Sequence, residues 1–281
     1  PFLDSEDPAI RYAARTAIEH QPIANWADKA LSETRPTAVL SAALALVRNP
    51  HFKRQSELVF KLSPLPLNEF SEEQLGMAAD AYRLCFERGF QPTPAQRKAI
   101  HEQLSPLFPQ QSESLNLAIS PVLAQVDSPG LVARILEWIP QTSSQASRLH
   151  GLFLLRNIKQ GWTPELREAY FSALADLPEY QGGEGMPAFI QLIQTDALKP
   201  LPESDRPQYE QRLARTQSDE PLPAQTRPLV KEWTKKDFAE LDSRTTLPDL
   251  NRGKQLFREA LCSRCHRVGF EGAAVGPDLT S

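Results

Sequence analysis

Asp7-Pro8-Ala9-Ile10-Arg11-Tyr12-Ala13-Ala14-Arg15-Thr16-Ala17-Ile18 opens the stretch, residues 4–48, whose reading decides the fold. Ile10, Ala13, Ala14, Ala17 and Ile18 recur at helical spacing, and Pro8 stands where a helix can begin. Pro22 opens a second segment carrying Trp26, Ala30 and Leu31. Pro36 opens a third, with Val39, Leu40, Ala43, Leu44 and Val47 on one face. The spacing predicts short helices, each started at or near a proline.

The same grammar continues down the chain. Ser71 with Gln74 and Thr93 with Gln96 read as capping boxes, the second with Pro94 at the first helical position. Ser128-Pro129 and Thr163-Pro164 repeat the cap-then-proline start, while Gly89 and Gly161 fit helix stops. Pro121 is expected to kink or split the helix over 115–126. Cys85 shares a face with Leu75, Ala78, Ala79, Tyr82 and Phe86 and reads as a small buried hydrophobe. Met77 falls on an apolar stripe and reads as core; Met186 falls in the glycine-rich loop after Gly182. No alternating strand pattern of any length occurs, so the expected fold class is all-α. D-P-x-I-R before an alanine-rich helix resembles a HEAT repeat, whose units are paired helices of about forty residues. That resemblance implies an α-solenoid over residues 1–200.

At the other end stands Cys262-Ser263-Arg264-Cys265-His266, the C-x-x-C-H signature of c-type haem attachment. Two thiols at that spacing can each form a thioether to one porphyrin, and the adjacent imidazole supplies an axial bond to iron. A zinc half-site would need a second Cys/His pair, but Cys85 stands alone and His20, His51, His101 and His150 are scattered. A thioredoxin-type dithiol would be expected near a βαβ pattern, and the residues upstream read as helix.

Arg252-Gly253-Lys254-Gln255-Leu256-Phe257, then the haem motif, then Gly269, Gly272 and Gly276-Pro277-Asp278-Leu279-Thr280, resembles the start of a class I cytochrome c domain. More narrowly, the chain is similar to the haem-binding family of planctomycete and verrucomicrobial type. The resemblance implies that Gly253 and Phe257 pack against a closing helix. It implies that the Pro277 carbonyl accepts from the other nitrogen of His266, fixing its orientation. Such a domain should continue past Ser281 to a distal ligand, so only its N-terminal part is expected here. Leu155-Arg156-Asn157, Gly161-Trp162-Thr163-Pro164-Glu165-Leu166-Arg167 and Gly182-Gly183-Glu184-Gly185 resemble the HEAT-containing region that precedes the haem domain in the same proteins. Their upstream part is often a sugar-dehydrogenase-type β-propeller; no residues for substrate chemistry are identified in this chain.

Composition bounds the remainder. A net charge of −4 over 281 residues gives no basic footprint for nucleic acid. No run of eighteen apolar residues appears, so no transmembrane segment is expected. Prolines 200, 202, 207, 221, 223 and 228 mark a spacer. The expected organisation is therefore a HEAT-like domain at 1–200, a Pro-rich linker with a short docking helix at 201–248, and a cytochrome c segment at 249–281. The docking helix would seat through Trp233 and Phe238. The expected function is electron transfer through one covalent haem c and its iron, held by Cys262, Cys265 and His266 with Pro277 behind. The partner is then a redox protein or domain, and the location the periplasm or cell envelope of an exported redox protein. The competing reading is a protein-binding solenoid whose C-x-x-C is a thiol redox or metal site.

Overall fold

Helix starts in this chain are written in side chains that capture orphan amide hydrogens. Asp7 accepts from the Ala9 N–H at 2.8 Å ahead of α1 (Pro8–Glu19). Ser71 and Thr93 each close a reciprocal capping box with Gln74 and Gln96, ahead of α5 (Glu72–Glu87) and α6 (Pro94–Leu104). The computed structural model describes residues 2–177, 180, 185–214, 231, 234, 237, 249–268, 276 and 279. Among them the chain is helical throughout, and its nearest approach to a strand is a single bridged residue, Val268. Two compact units are present: Pro1–Leu174 with Lys199–Leu201, and Ala175–Leu198 with Pro202–Ser281.

The first unit adds α2 (Ala27–Ser32), α3 (Pro36–Arg48), α4 (Gln55–Leu62), α7 (Glu113–Gln125), α8 (Leu131–Trp138), α9 (Gln145–Leu155) and α10 (Pro164–Ala175). Odd-numbered helices pack in succession, α1 on α3, α3 on α5, α5 on α7 and α7 on α9. The even-numbered helices α2, α4, α6 and α8 pack against their chain neighbours. Flanked by α1 and α5 in this row, α3 is buried at every residue from Ala38 to Val47. Alanines at 38, 42, 43 and 45 let helices approach closely, while each buried Leu or Val contributes roughly 1.5–3 kcal/mol. Polar ties repeat this arrangement at a separation near forty residues. Gln96 reaches Ser56 Oγ at 3.0 Å, Gln103 reaches the Leu65 carbonyl at 3.0 Å, and Ser114 reaches Glu72 at 2.8 Å.

Most predicted ends hold. α5 stops at Gly89, which is left-handed (φ 83°) and closes with the Phe90 N–H on the Cys85 carbonyl at 3.1 Å. Cys85 is fully buried, and burial pushes its thiol up to about 12. Met77 is half-buried on α5. Three local expectations fail for physical reasons. Ser128 does not cap α8: its hydroxyl is engaged with His101 Nδ1 at 2.7 Å, and the helix starts after left-handed Gly130. Gly161 is left-handed but lies past the end of α9, inside the turn toward α10. Pro121 does not split α7, whose flanking Ile119, Ser120, Val122 and Leu123 are all buried. On α1 the alanine-rich stripe stays largely at the surface (Ile10 is 45% exposed), while Arg11 turns inward. Its guanidinium finds the Ser5 and Glu6 carbonyls and the Glu73 carboxylate, three acceptors that an apolar side chain could not use.

The second unit contains α11 (Met186–Leu198), α12 (Arg206–Ala214) and α13 (Leu250–Glu259). α11 and α12 pack together, with Ile190, Ile193 and Ala197 buried on one and Tyr209 and Leu213 on the other. Met186 is the first residue of α11 rather than part of a loop. Trp233 and Phe238 lie outside the described residues.

Candidate functional site

The C-x-x-C-H motif is delivered by a helix, a forced stop and one tight turn. Asp249 caps α13 by accepting from the Arg252 N–H at 3.0 Å. Gln255 reaches Glu259 at 2.6 Å on the polar side of this helix. Leu250, Gly253 and Phe257 fall on one side of α13, three and four residues apart. None of the α13 residues is buried, and Leu250 is 76% exposed.

α13 ends abruptly at Leu261, which is left-handed at φ 62° and returns its N–H to the Arg258 carbonyl at 3.0 Å. A leucine in that region costs roughly 1–2 kcal/mol relative to the right-handed form. The step turns the chain out of the α13 axis and into a 3₁₀ turn at Cys262–Arg264. The Cys262 carbonyl then accepts from both the Cys265 N–H at 3.2 Å and the His266 N–H at 2.9 Å. In a 3₁₀ turn, side chains three apart eclipse one another. Cys262 and Cys265 thus share one side of the turn, with His266 immediately after. Both cysteines are free thiols, Cys262 exposed and Cys265 half-buried.

The chain then comes back over the motif. The Gly276 N–H donates to the Cys265 carbonyl at 2.6 Å, and the Leu279 N–H to the Arg267 carbonyl at 2.8 Å. Gly276 lies directly against the imidazole: a Cβ there would meet His266 Cε1 at 3.0 Å and Nδ1 at 3.1 Å. A side chain at 276 would crowd the ring and require it to give by a few tenths of an ångström. The sequence reading singled out the G-P-D-L-T run without assigning this role to Gly276; the close approach of two segments ten residues apart is not a local pattern. Of the four predicted site residues, Cys262, Cys265 and His266 are brought together, and Pro277 lies outside the described residues.

Other chemistry-bearing side chains are occupied structurally. His150 is half-buried, with Nε2 3.1 Å from Ser120 Oγ, and burial lowers its pKa. Ser144 caps α9 through the Ser147 N–H. Among the described residues no group of three or more His, Cys, Asp or Glu side chains is placed to hold a metal ion. None of the described helices is long and apolar enough to cross a membrane.

This donor set fits a covalently attached haem. It offers two free thiols one turn apart, a following imidazole, and a glycine cradle that a Cβ would fill. Residues 250–281 match the cytochrome c family, so a cytochrome c domain is present in this segment. Comparison with curated proteins and with solved structures returns no match.

Proposed function

We propose that the chain serves single-electron transfer with one haem c, which Cys262 and Cys265 would hold through thioethers and His266 through a bond to the iron. The observation that carries this reading is the cytochrome c match over 250–281, coincident with a turn that aligns both thiols beside the imidazole. When bound, the haem supplies a one-electron iron couple. The chain's own residues do the rest. The 3₁₀ turn sets the thiol spacing, Leu261 aims the turn away from the α13 axis, and Gly276 confines the imidazole. Pro277 is assigned as the carbonyl that orients His266 from behind. Residues 249–281 act as a class I cytochrome c segment, and 201–248 as a proline-rich spacer with a docking helix, its first part folded as α12 against α11.

Residues 1–200 are assigned as a HEAT-like solenoid scaffold. The succession of odd-numbered helices and the polar ties near forty residues apart support that assignment. Covalent haem attachment follows export, so the protein is placed in the periplasm or cell envelope, facing a redox partner protein. The test is a haem-stained denaturing gel with a pyridine haemochrome spectrum, on protein co-expressed with the cytochrome c maturation machinery. Haem that survives denaturation and vanishes in Cys262→Ala/Cys265→Ala is expected. Two thiols that remain fully alkylatable in the mature protein would instead favour a solenoid binding module with a redox or metal-binding dithiol.

A further inference from the structure

A groove of about 430 Å³ lies in the first unit between α1, α3 and α5, far in sequence from the haem motif. Four arginines line it: Arg15, Arg48, Arg83 and Arg88. Leu44 and Leu84 are its apolar lining, and Asp80 is the one carboxylate among the lining residues. Four guanidinium groups in one recess are notable in a chain whose net charge is −4.

Helix dipoles account for half of them. Arg48 stands in the last turn of α3, and Arg88 caps α5 and donates to the Arg48 carbonyl at 3.0 Å. Arg15 and Arg83 sit before the last turns of α1 and α5, where the dipole gives no reason for a cation.

Internal pairing does not use up these charges. Arg83 is held by Asp80 at 3.0 Å and Glu87 at 2.5 Å. Arg15 and Arg48 share a single carboxylate oxygen, Glu19 Oε1, at 3.5 and 3.2 Å. That oxygen and Arg15 Nε are buried without a hydrogen bond. Among the described residues Arg88 has no carboxylate partner, and the terminal nitrogens of Arg48 donate to no acceptor. Planar guanidinium forks with spare N–H donors match tetrahedral and planar oxyanions.

We propose that this groove binds an oxyanion of the phosphate class, free or as the head of an organic phosphate lying over Leu44 and Leu84. Arg15, Arg48 and Arg88 supply the unspent donors, and Arg83, already neutralised, holds the wall. The test is isothermal titration of the whole chain at low ionic strength with pyrophosphate and, separately, phenyl phosphate. Saturable one-to-one binding is expected, weakened tenfold or more by Arg15→Gln/Arg48→Gln. Arg88→Gln, at an exposed cap, should weaken it as well while leaving the thermal unfolding transition in place. Arg97→Gln, which breaks the pair with Asp127 outside the groove, should leave binding unchanged. Tighter binding of phenyl phosphate would assign an ester, and tighter binding of pyrophosphate a free diphosphate. No saturable binding of either probe would overturn the proposal. So would an equal loss in Arg97→Gln, because binding would then report diffuse surface charge.

Discussion

The first unit and the haem-motif segment use the same helical vocabulary, yet among the described residues only the first buries whole helix faces. α3 is buried along ten consecutive residues, whereas α13 buries none. Both have well-formed starts: Ser71 and Thr93 cap α5 and α6 as Asp249 caps α13. The difference is in what covers the apolar face. Caps and turns fix where a helix begins and ends, but most of its stability comes from packing an amphipathic face. In the first unit neighbouring helices provide that cover. In the C-terminal segment Leu250 and Leu256 stay exposed.

Core truncation should separate the two regions most widely. Leu40→Ala removes a side chain with no exposed surface on α3, between α1 and α5, and should cost about 2–5 kcal/mol. Leu256→Ala, at a position 46% exposed, should change stability by no more than about 0.5 kcal/mol in the haem-free chain. Urea unfolding followed by far-ultraviolet circular dichroism measures both. Equal losses would break the distinction.

Capping residues give the next largest effect. Ser71→Ala and Thr93→Ala should each lower the global unfolding free energy by about 1 kcal/mol. Asp249→Ala should instead reduce helicity within α13, read as faster amide exchange there, and leave the global midpoint in place.

The smallest effect is in pH. Burial holds the His150 pKa below its ordinary 6.5, so the unfolded chain takes up the proton first as acid is added. Stability is complete above 6.5 and declines as pH falls from 6.5 toward the lower folded value. His150→Asn should flatten the dependence of the urea midpoint over that window. An unchanged slope would remove His150 as its source.

What the sequence made legible follows the range of each interaction. Proline starts at 36, 94 and 164, the two capping boxes, the Gly89 stop and the spacing of Cys262 and Cys265 are all set within one turn of chain. The misreadings arise where a distant partner intervenes. Ser128 is drawn to His101, and the buried flanks of Pro121 keep α7 continuous. At the site, the thiols and imidazole were legible because attachment chemistry fixes their spacing. Gly276 was not, because its role depends on a return loop seating its backbone against His266.

The most direct measurement is the mass of the peptide released by cleavage after Glu259 and Glu271, which bears both Cys262 and Cys265, taken from the mature protein after haem-competent expression. The account predicts that this peptide carries one haem, with both sulfurs refractory to alkylation. A peptide of unmodified mass with two alkylatable thiols would contradict it.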